Sequence, residues 1–279
     1  MHPILFHYGP ITIHTYGVAM ATAFIVAIYL ATRKGKKLGI DPNIVLDMSF
    51  WIMIGSIIGA RIVFIITMWD YYIQHPLEML EIWKGGLVFY GGLFGGILSM
   101  YIYLKWVKQE FFKFGDLISP YMGLGYAIHR AFGCYMNGCC YGKPTTLPWP
   151  IGSVFAPNSD AGMAYPGQRL LSTELFESVN GLILFFFLLW YERHLKKHDG
   201  ELVGLFLVLY SFNRFIIEFF RGDVIRGFIG PAIHWPWGAS PLSTSQFIAI
   251  PTFIAGWIIF FWARSRKENG KSTKLQGTK

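Results

Sequence analysis

Apolar residues in this chain come in long runs. From 245 to 263 the sequence SQFIAIPTFIAGWIIFFWA offers a helix no polar face at all. Runs of this kind approach the roughly 20 residues that a helix needs to cross about 30 Å of hydrocarbon. Seven can be drawn, at 15–32, 47–68, 87–106, 116–134, 173–191, 202–220 and 245–263, the fourth being the least hydrophobic. The pattern predicts an all-α polytopic membrane protein with about seven transmembrane helices.

Charge orients this arrangement. The 279 residues hold 24 Lys and Arg against 16 Asp and Glu, a formal net charge of +8, while 53% are hydrophobic and 14% charged. Taking the connections alternately, one side collects 16 basic residues: Arg33, Lys34, Lys36, Lys37, then Lys105, Lys108, Lys113, then Arg193, Lys196, Lys197, and six more from Arg264 to Lys279. The other side holds 5, namely Lys84, Lys143, Arg169, Arg221 and Arg226, and Arg61, Arg130 and Arg214 fall inside spans. Positive residues favour the cytoplasmic face, so the N-terminus is expected outside and the C-terminus in the cytoplasm. The basic balance is thereby explained as orientation signal and contact with anionic membrane lipids, and no basic-aromatic module points to nucleic acid.

No internal repeat or Pro/Ser-rich linker divides the chain. The first fifteen residues lack the cationic start and cleavage site of a signal peptide, so the first span is expected to stay in the mature protein. Residues 1–264 are expected to form a single transmembrane domain, and 265–279 a disordered, basic cytoplasmic tail. Of the outward connections, 69–86 is short and aromatic, 135–172 is long and rich in Gly, Pro and Asn, and 221–244 carries Pro231, Pro236 and Pro241. Function is expected near these loops.

Ionisable residues inside spans are costly and mark candidate chemistry. Tyr210, Arg214, Glu218 and Arg221 are spaced four, four and three apart, which stacks them on one face of a helix. One reading is an ion pair that holds helices together. The other, favoured by the extension of the polar face through Arg221 and Asp223, is a surface for an anionic head group near the outer leaflet. Arg130 has its nearest intramembrane carboxylate in sequence, Asp116, about 21 Å away along the helix, so it needs a partner from elsewhere or a ligand. Two guanidiniums suit a phosphate, and an anionic phospholipid supplies one at this depth. Arg61 fits such a role and helix packing equally.

The stretch WKGGLVFYGGLFGG at 83–96 has no Gly-Lys-Ser/Thr and is no phosphate loop. Its pairs Gly91 with Gly95 and Gly92 with Gly96 let a helix or a lipid chain approach the backbone. All three cysteines, Cys134, Cys139 and Cys140, lie in HRAFGCYMNGCCYGKP at 129–144. Their spacing lacks the paired CxxC of zinc sites and offers only His129 as a nearby further ligand, so a metal needs remote partners. Cys139 and Cys140 are no easy disulfide pair, and one from Cys134 to either is open in an oxidising compartment. The reading adopted is that they line an irregular turn at a pocket mouth, with Asn137, Gly138 and Gly142.

Together with HTYG at 14–17, GGLVFYGGLFG at 85–95, YSFNRFIIEFFR at 210–221 and STSQFIAIP at 243–251, this stretch resembles the prolipoprotein diacylglyceryl transferases, in the family's own segment order. The Tyr-x3-Arg-x3-Glu-x2-Arg segment is the most specific. Three positions depart from the common pattern: Tyr90 stands where many members have His, Cys134 where they have Asn, and one residue is inserted between Arg130 and Gly133, which bears on the rotational setting of Arg130.

The resemblance implies a bacterial cytoplasmic (inner) membrane enzyme. It would transfer the diacylglyceryl group of phosphatidylglycerol to the lipobox cysteine thiol of a preprolipoprotein signal peptide and release glycerol phosphate. It implies Arg130, Arg214, Glu218 and Tyr90 as catalytic residues, with Tyr16, Gly91, Asn137, Gly142, Glu177, Tyr210 and Arg221 binding substrate, and neither metal nor other cofactor. The reacting thiol belongs to the acceptor protein, so the chain's own cysteines are not expected to be nucleophiles. The rivals are an anionic-solute transporter, for which inverted repeats and polar residues through the full bilayer depth are expected but not seen, and a family paralogue with another acceptor.

Overall fold

The computed structural model describes residues 4–8, 11–82, 85–223, 227–235 and 238–266. Lys84, Arg226, Pro236 and, from the expected tail, residues 267–279 lie outside the described residues. The chain divides into two compact units, Met1–Phe24 with Ser119–Lys279, and Ile25–Ile118.

The chain opens with strands β1 (Ile4–Tyr8) and β2 (Ile11–His14), an antiparallel pair that leads into helix α1 (Thr15–Lys37). The second unit is built on α2 (Pro42–Thr67) and α4 (Phe89–Trp106), with the short α3 (Trp69–Tyr72) and a 3-10 turn at Pro76–Leu80 between them. Asp41 accepts a hydrogen bond from the Asn43 N–H and Pro42 occupies the first turn, which fixes where α2 starts. Gly55 and Gly59 of α2 meet Gly91 and Gly95 of α4 so closely that a Cβ on Gly91 would strike the Gly59 carbonyl, and one on Gly95 the Gly55 carbonyl. Arg61, 6% exposed, settles its own reading. Its guanidinium donates to the carbonyls of Glu78, Met79, Gly85 and Gly86 at 2.6, 3.0, 2.9 and 3.4 Å and lies over the Phe64 and Tyr72 rings. It pins the 69–86 connection to α2, in the manner of a packing arginine.

The first unit takes in α5 (Phe111–Ile128) from Ser119 onward, the π-helical turn His129–Cys134 and α6 (Tyr135–Asn137), then β3 (Gly152–Val154), α7 (Asp160–Ala164) and β4 (Arg169–Leu171). It continues through α8 (Thr173–His194), α9 (Glu201–Ile217), β5 (Phe228–Trp235), β6 (Gly238–Ser243) and α10 (Thr244–Ser265). Antiparallel neighbours approach through small residues. A Cβ on Gly181 of α8 would lie 2.8 Å from the Gly123 carbonyl of α5, and one on Gly204 of α9 would lie 2.8 Å from the Gly256 carbonyl of α10. Below these crossings Leu188, Tyr191, Leu202, Leu205 and Phe260 form a buried cluster.

Each of the seven apolar runs is helical over most of its length, and α1, α2, α8 and α10 are long and apolar enough to cross a membrane. The expectation of an all-α chain is corrected to a mostly helical one, because among the described residues there are three two-stranded antiparallel sheets, one ahead of the first helix and two in later connections. These segments are too short or too interrupted by Pro and Gly to continue a helix, and pairing two strands satisfies their backbone groups. The 135–172 region, read as a loop, has its own core of Tyr135, Tyr141, Phe155, Ala161 and Leu170, and the buried chain of hydroxyls Tyr135–Ser153–Ser172 at 2.9 and 2.8 Å.

Glycine packing between α2 and α4 yields a stability test. Gly95→Ala forces the two backbones apart and should destabilise by about 1–3 kcal/mol, whereas Gly17→Ala, with nothing within 4 Å of its new methyl, should be neutral or gain up to about 1 kcal/mol. Thermal unfolding of the detergent-solubilised protein checks the pair; equal effects would contradict the packing account.

Candidate active site

Arg130 sits in the π-helical turn that extends α5. In that turn the Tyr135 N–H donates to the Arg130 carbonyl, five residues back, so the helix accommodates one more residue than an α-turn would. A turn of this kind would absorb the residue that the family resemblance implies is inserted between Arg130 and Gly133. Arg130 points at α8, where its Nη1 meets Glu177 Oε2 at 2.9 Å, and its guanidinium lies 5.1 Å from the centre of the Tyr126 ring.

Glu177 is fully buried, one turn into α8. Its other oxygen, Oε1, accepts from Arg214 Nη1 of α9 at 2.9 Å. One carboxylate therefore holds both Arg130 and Arg214. Arg214 Nη2 in turn reaches Glu218 Oε2 at 2.9 Å and donates to Ser245 Oγ of α10 at 2.9 Å. Ser245 is placed by the start of α10, where Ser243 and Gln246 form a reciprocal capping box. Gln246 Nε2 also donates to the Phe215 carbonyl at 3.4 Å, tying the two helices beside the arginine. Two guanidiniums and two carboxylates give this cluster no net charge of its own, and the arginine side chains keep only 13% of their surface exposed. The buried Arg130 Nε is without a hydrogen-bond partner.

Three residues along the same helix face from Glu177, Glu174 is fully buried and neither carboxyl oxygen has a hydrogen-bond partner. Tyr210, one turn before Arg214, packs edge-on against Tyr126 at 5.4 Å and stacks on Phe206. Tyr16 meets His129, the neighbour of Arg130, edge-on at 4.7 Å. Asn137 is half-buried at the end of α6.

Arg221 departs from the helix-face expectation. Helix α9 ends at Ile217, and Arg221 lies beyond it on backbone bridged to Gly142, gripping Asp223 through two hydrogen bonds of 2.9 and 2.6 Å. The reason is local: the Lys143 and Gly222 N–H groups donate to the carbonyls of Phe220 and Tyr141, so this stretch pairs with the 141–143 segment instead of winding on. Gly142 is required there, since a Cβ would lie 2.5 Å from Leu171 Cβ. Tyr90 and Gly91 belong to the second unit, where Tyr90 packs edge-on against Phe89 at 5.5 Å and Gly91 serves the α2–α4 contact.

The cysteines gather. Their three sulfurs lie within 4.8 Å of one another, because Gly138 and Cys140 both adopt left-handed backbone, with φ of 69° and 66°, and fold the chain back on the Cys134 carbonyl. Arg130 Nη1 donates to Cys134 Sγ at 3.7 Å. Hydrogen bonds with the Cys134 and Cys139 thiols hold the Cys140 thiol well below its ordinary value against the effect of its burial, and the Arg130 and Arg221 charges act in the same direction.

A sequence reading that paired Arg214 with Glu218 missed the larger part of this network. Glu177 entered only through family likeness, and Ser245, Tyr126 and Glu174 did not enter at all. Glu174 and Glu177 did carry a signal: two carboxylates one turn apart at the head of an apolar run.

Breaking the shared carboxylate should be costly. Glu177→Ala leaves two buried guanidiniums short of a partner and should destabilise by about 3–5 kcal/mol. Glu174→Gln, which removes no hydrogen bond made by its carboxyl, should stay within about 1 kcal/mol of the parent. Thermal melts of both variants check the contrast, and it fails if they unfold alike.

The model of the prolipoprotein diacylglyceryl transferase family matches residues 3–262. Among similar proteins, the phosphatidylglycerol–prolipoprotein diacylglyceryl transferase of Clostridium tetani is 35% identical over 268 residues, 96% of this chain and 100% of that protein. The protein of the same name from Idiomarina loihiensis is 33% identical over 275 residues, 96% of this chain and 95% of that one. Its namesake in Staphylococcus xylosus is 36% identical over 222 residues, 79% of this chain and 78% of that one.

Proposed function

This chain belongs to the prolipoprotein diacylglyceryl transferase family, and on that premise we propose that the Arg130–Glu177–Arg214 cluster is where it moves a diacylglyceryl group from phosphatidylglycerol to a prolipoprotein thiol. The protein is a mostly helical membrane transferase of lipoprotein biosynthesis. The acceptor is the lipobox cysteine of the signal peptide, and glycerol phosphate is the leaving product.

The observation that carries the site assignment is the single buried carboxylate holding two arginines from different helices at 2.9 Å each. In the reaction the acceptor sulfur bonds to the glycerol carbon that carries the phosphate, and the carbon–oxygen bond to phosphate breaks. The departing phosphate takes the electron pair, and the thiol proton leaves to solvent or a nearby base. Charge thus grows on phosphate oxygens, where preorganised guanidiniums stabilise it most. A free thiol titrates near ~8.5 and cationic surroundings bring it down, so a strong base is dispensable. Glu177 fixes the spacing of the clamp, Glu218 and Ser245 orient Arg214, and Tyr210 with Tyr126 walls the cluster. Tyr16, Asn137, Gly142 and Arg221 border the lipid and peptide approach. Tyr90 and Gly91 enter through family likeness.

The same reading takes the protein as multi-pass in the bacterial cytoplasmic membrane, with seven spans, an external N-terminus and a cytoplasmic C-terminus. The 16 to 5 division of basic residues supports this orientation. Residues 1–264 would act as one catalytic domain.

Transfer from labelled phosphatidylglycerol to a lipobox peptide tests the clamp. Arg214→Ala should lower turnover by about 100- to 1000-fold with lipid saturating, and Arg214→Lys should recover only part, because an ammonium lacks the planar two-pronged contact. Glu218→Gln should cost less, since an amide oxygen still accepts from Arg214. Near-normal transfer by Arg130→Ala and Arg214→Ala would reduce the cluster to a structural ion pair.

A further inference from the structure

The transferase reading gives the three cysteines no task, yet the fold spends two left-handed residues on bringing them together. We propose that Cys134, Cys139 and Cys140 form a binding site for one thiophilic d10 cation of the zinc and cadmium class. Their sulfurs lie within 4.8 Å of one another. Three thiolates around such an ion, with metal–sulfur bonds near 2.3 Å, stand about 3.8–4.0 Å apart. The difference, about 1 Å at most, is within the reach of side-chain rotation.

The surroundings match the chemistry. All three thiols are free, Cys134 buried and the other two half-buried, so ligands are available and the site has an open side. His129 Nε2 lies 3.6 Å from Cys134 Sγ, close to the nitrogen–sulfur edge of about 3.5 Å in a tetrahedral zinc site, and provides a nearby fourth donor. Three thiolates and a divalent cation carry one net negative charge. The guanidinium of Arg130, whose Nη1 lies 3.7 Å from Cys134 Sγ, offsets it. Soft sulfur donors select this class of ion over magnesium or calcium, which take oxygen ligands. The sequence spacing hid the site because ligand motifs are recognised as pairs on regular turns, whereas here Gly138 and Cys140 fold a short irregular turn back on a helix end.

Cadmium titration of the full-length protein in detergent, after removal of metal and reductant, tests this without lipid or acceptor peptide. A thiolate-to-cadmium charge-transfer band should grow and saturate at one ion per chain, with zinc competing for it. Cys139→Ser and Cys140→Ser should each weaken binding by about 100-fold or more, since losing a group that merely hydrogen-bonds a ligand already costs 10- to 100-fold. Cys134→Ser should do the same, and the two half-buried positions keep the test decisive if that variant misfolds. Absence of the band, a band indifferent to the cysteine variants, or only one titratable thiol per unreduced chain, which signals a disulfide, would each overturn the proposal.

Discussion

The fully buried carboxylate of Glu177, shared between the guanidiniums of Arg130 and Arg214, is the interaction on which the first unit turns. An unpaired guanidinium within apolar helices is prohibitively placed, and two of them facing one another are worse. Glu177 removes that difficulty with one oxygen for each arginine, and in doing so fixes the relative rotation of α5, α8 and α9. Ser245 extends the constraint to α10. An arrangement so held would keep two positive groups in place before any substrate arrives, which is what the proposed stabilisation of a departing phosphate demands.

Small residues make this geometry reachable. Gly123 and Gly181 bring α5 and α8 into backbone contact, Ser178 donates to the Ala127 carbonyl at 2.9 Å, and the next step along the same antiparallel pair is Arg130 against Glu177. Gly204 and Gly256 do the same for α9 and α10, with Arg214 and Ser245 at the far end of that seam. The π-turn completes the fit. One residue more in a regular helix would swing Arg130 by about 100° relative to the next turn, and a five-residue hydrogen bond such as Tyr135 N–H to the Arg130 carbonyl confines a change of that kind to one turn.

Hydropathy made the helices legible because burial in lipid demands uninterrupted apolar runs, and Arg130, Arg214 and Glu218 stood out as charges that such runs do not tolerate. Pairing between helices was concealed. Nothing in STELFESVN says that Glu177 reaches two other helices while Glu174, one turn away, pairs with neither arginine. Arg61 looked like Arg130, yet it spends its guanidinium on four loop carbonyls. Arg221 matched the helical spacing of Arg214 and Glu218, but backbone pairing with the 141–143 segment ended the helix first. Loop-like composition at 135–172 hid a small folded core, because aromatic side chains scattered among Gly and Pro show no period.

If both arginines act on one departing phosphate through one shared carboxylate, their contributions to the rate are coupled. A double-mutant cycle on the transfer rate, with Arg130→Gln, Arg214→Gln and the pair measured at saturating lipid, tests this directly. Groups that act as a unit are strongly non-additive. The double variant is therefore expected to fall within about tenfold of the slower single variant. Rate losses that multiply in full would show two independent contributions and contradict the account.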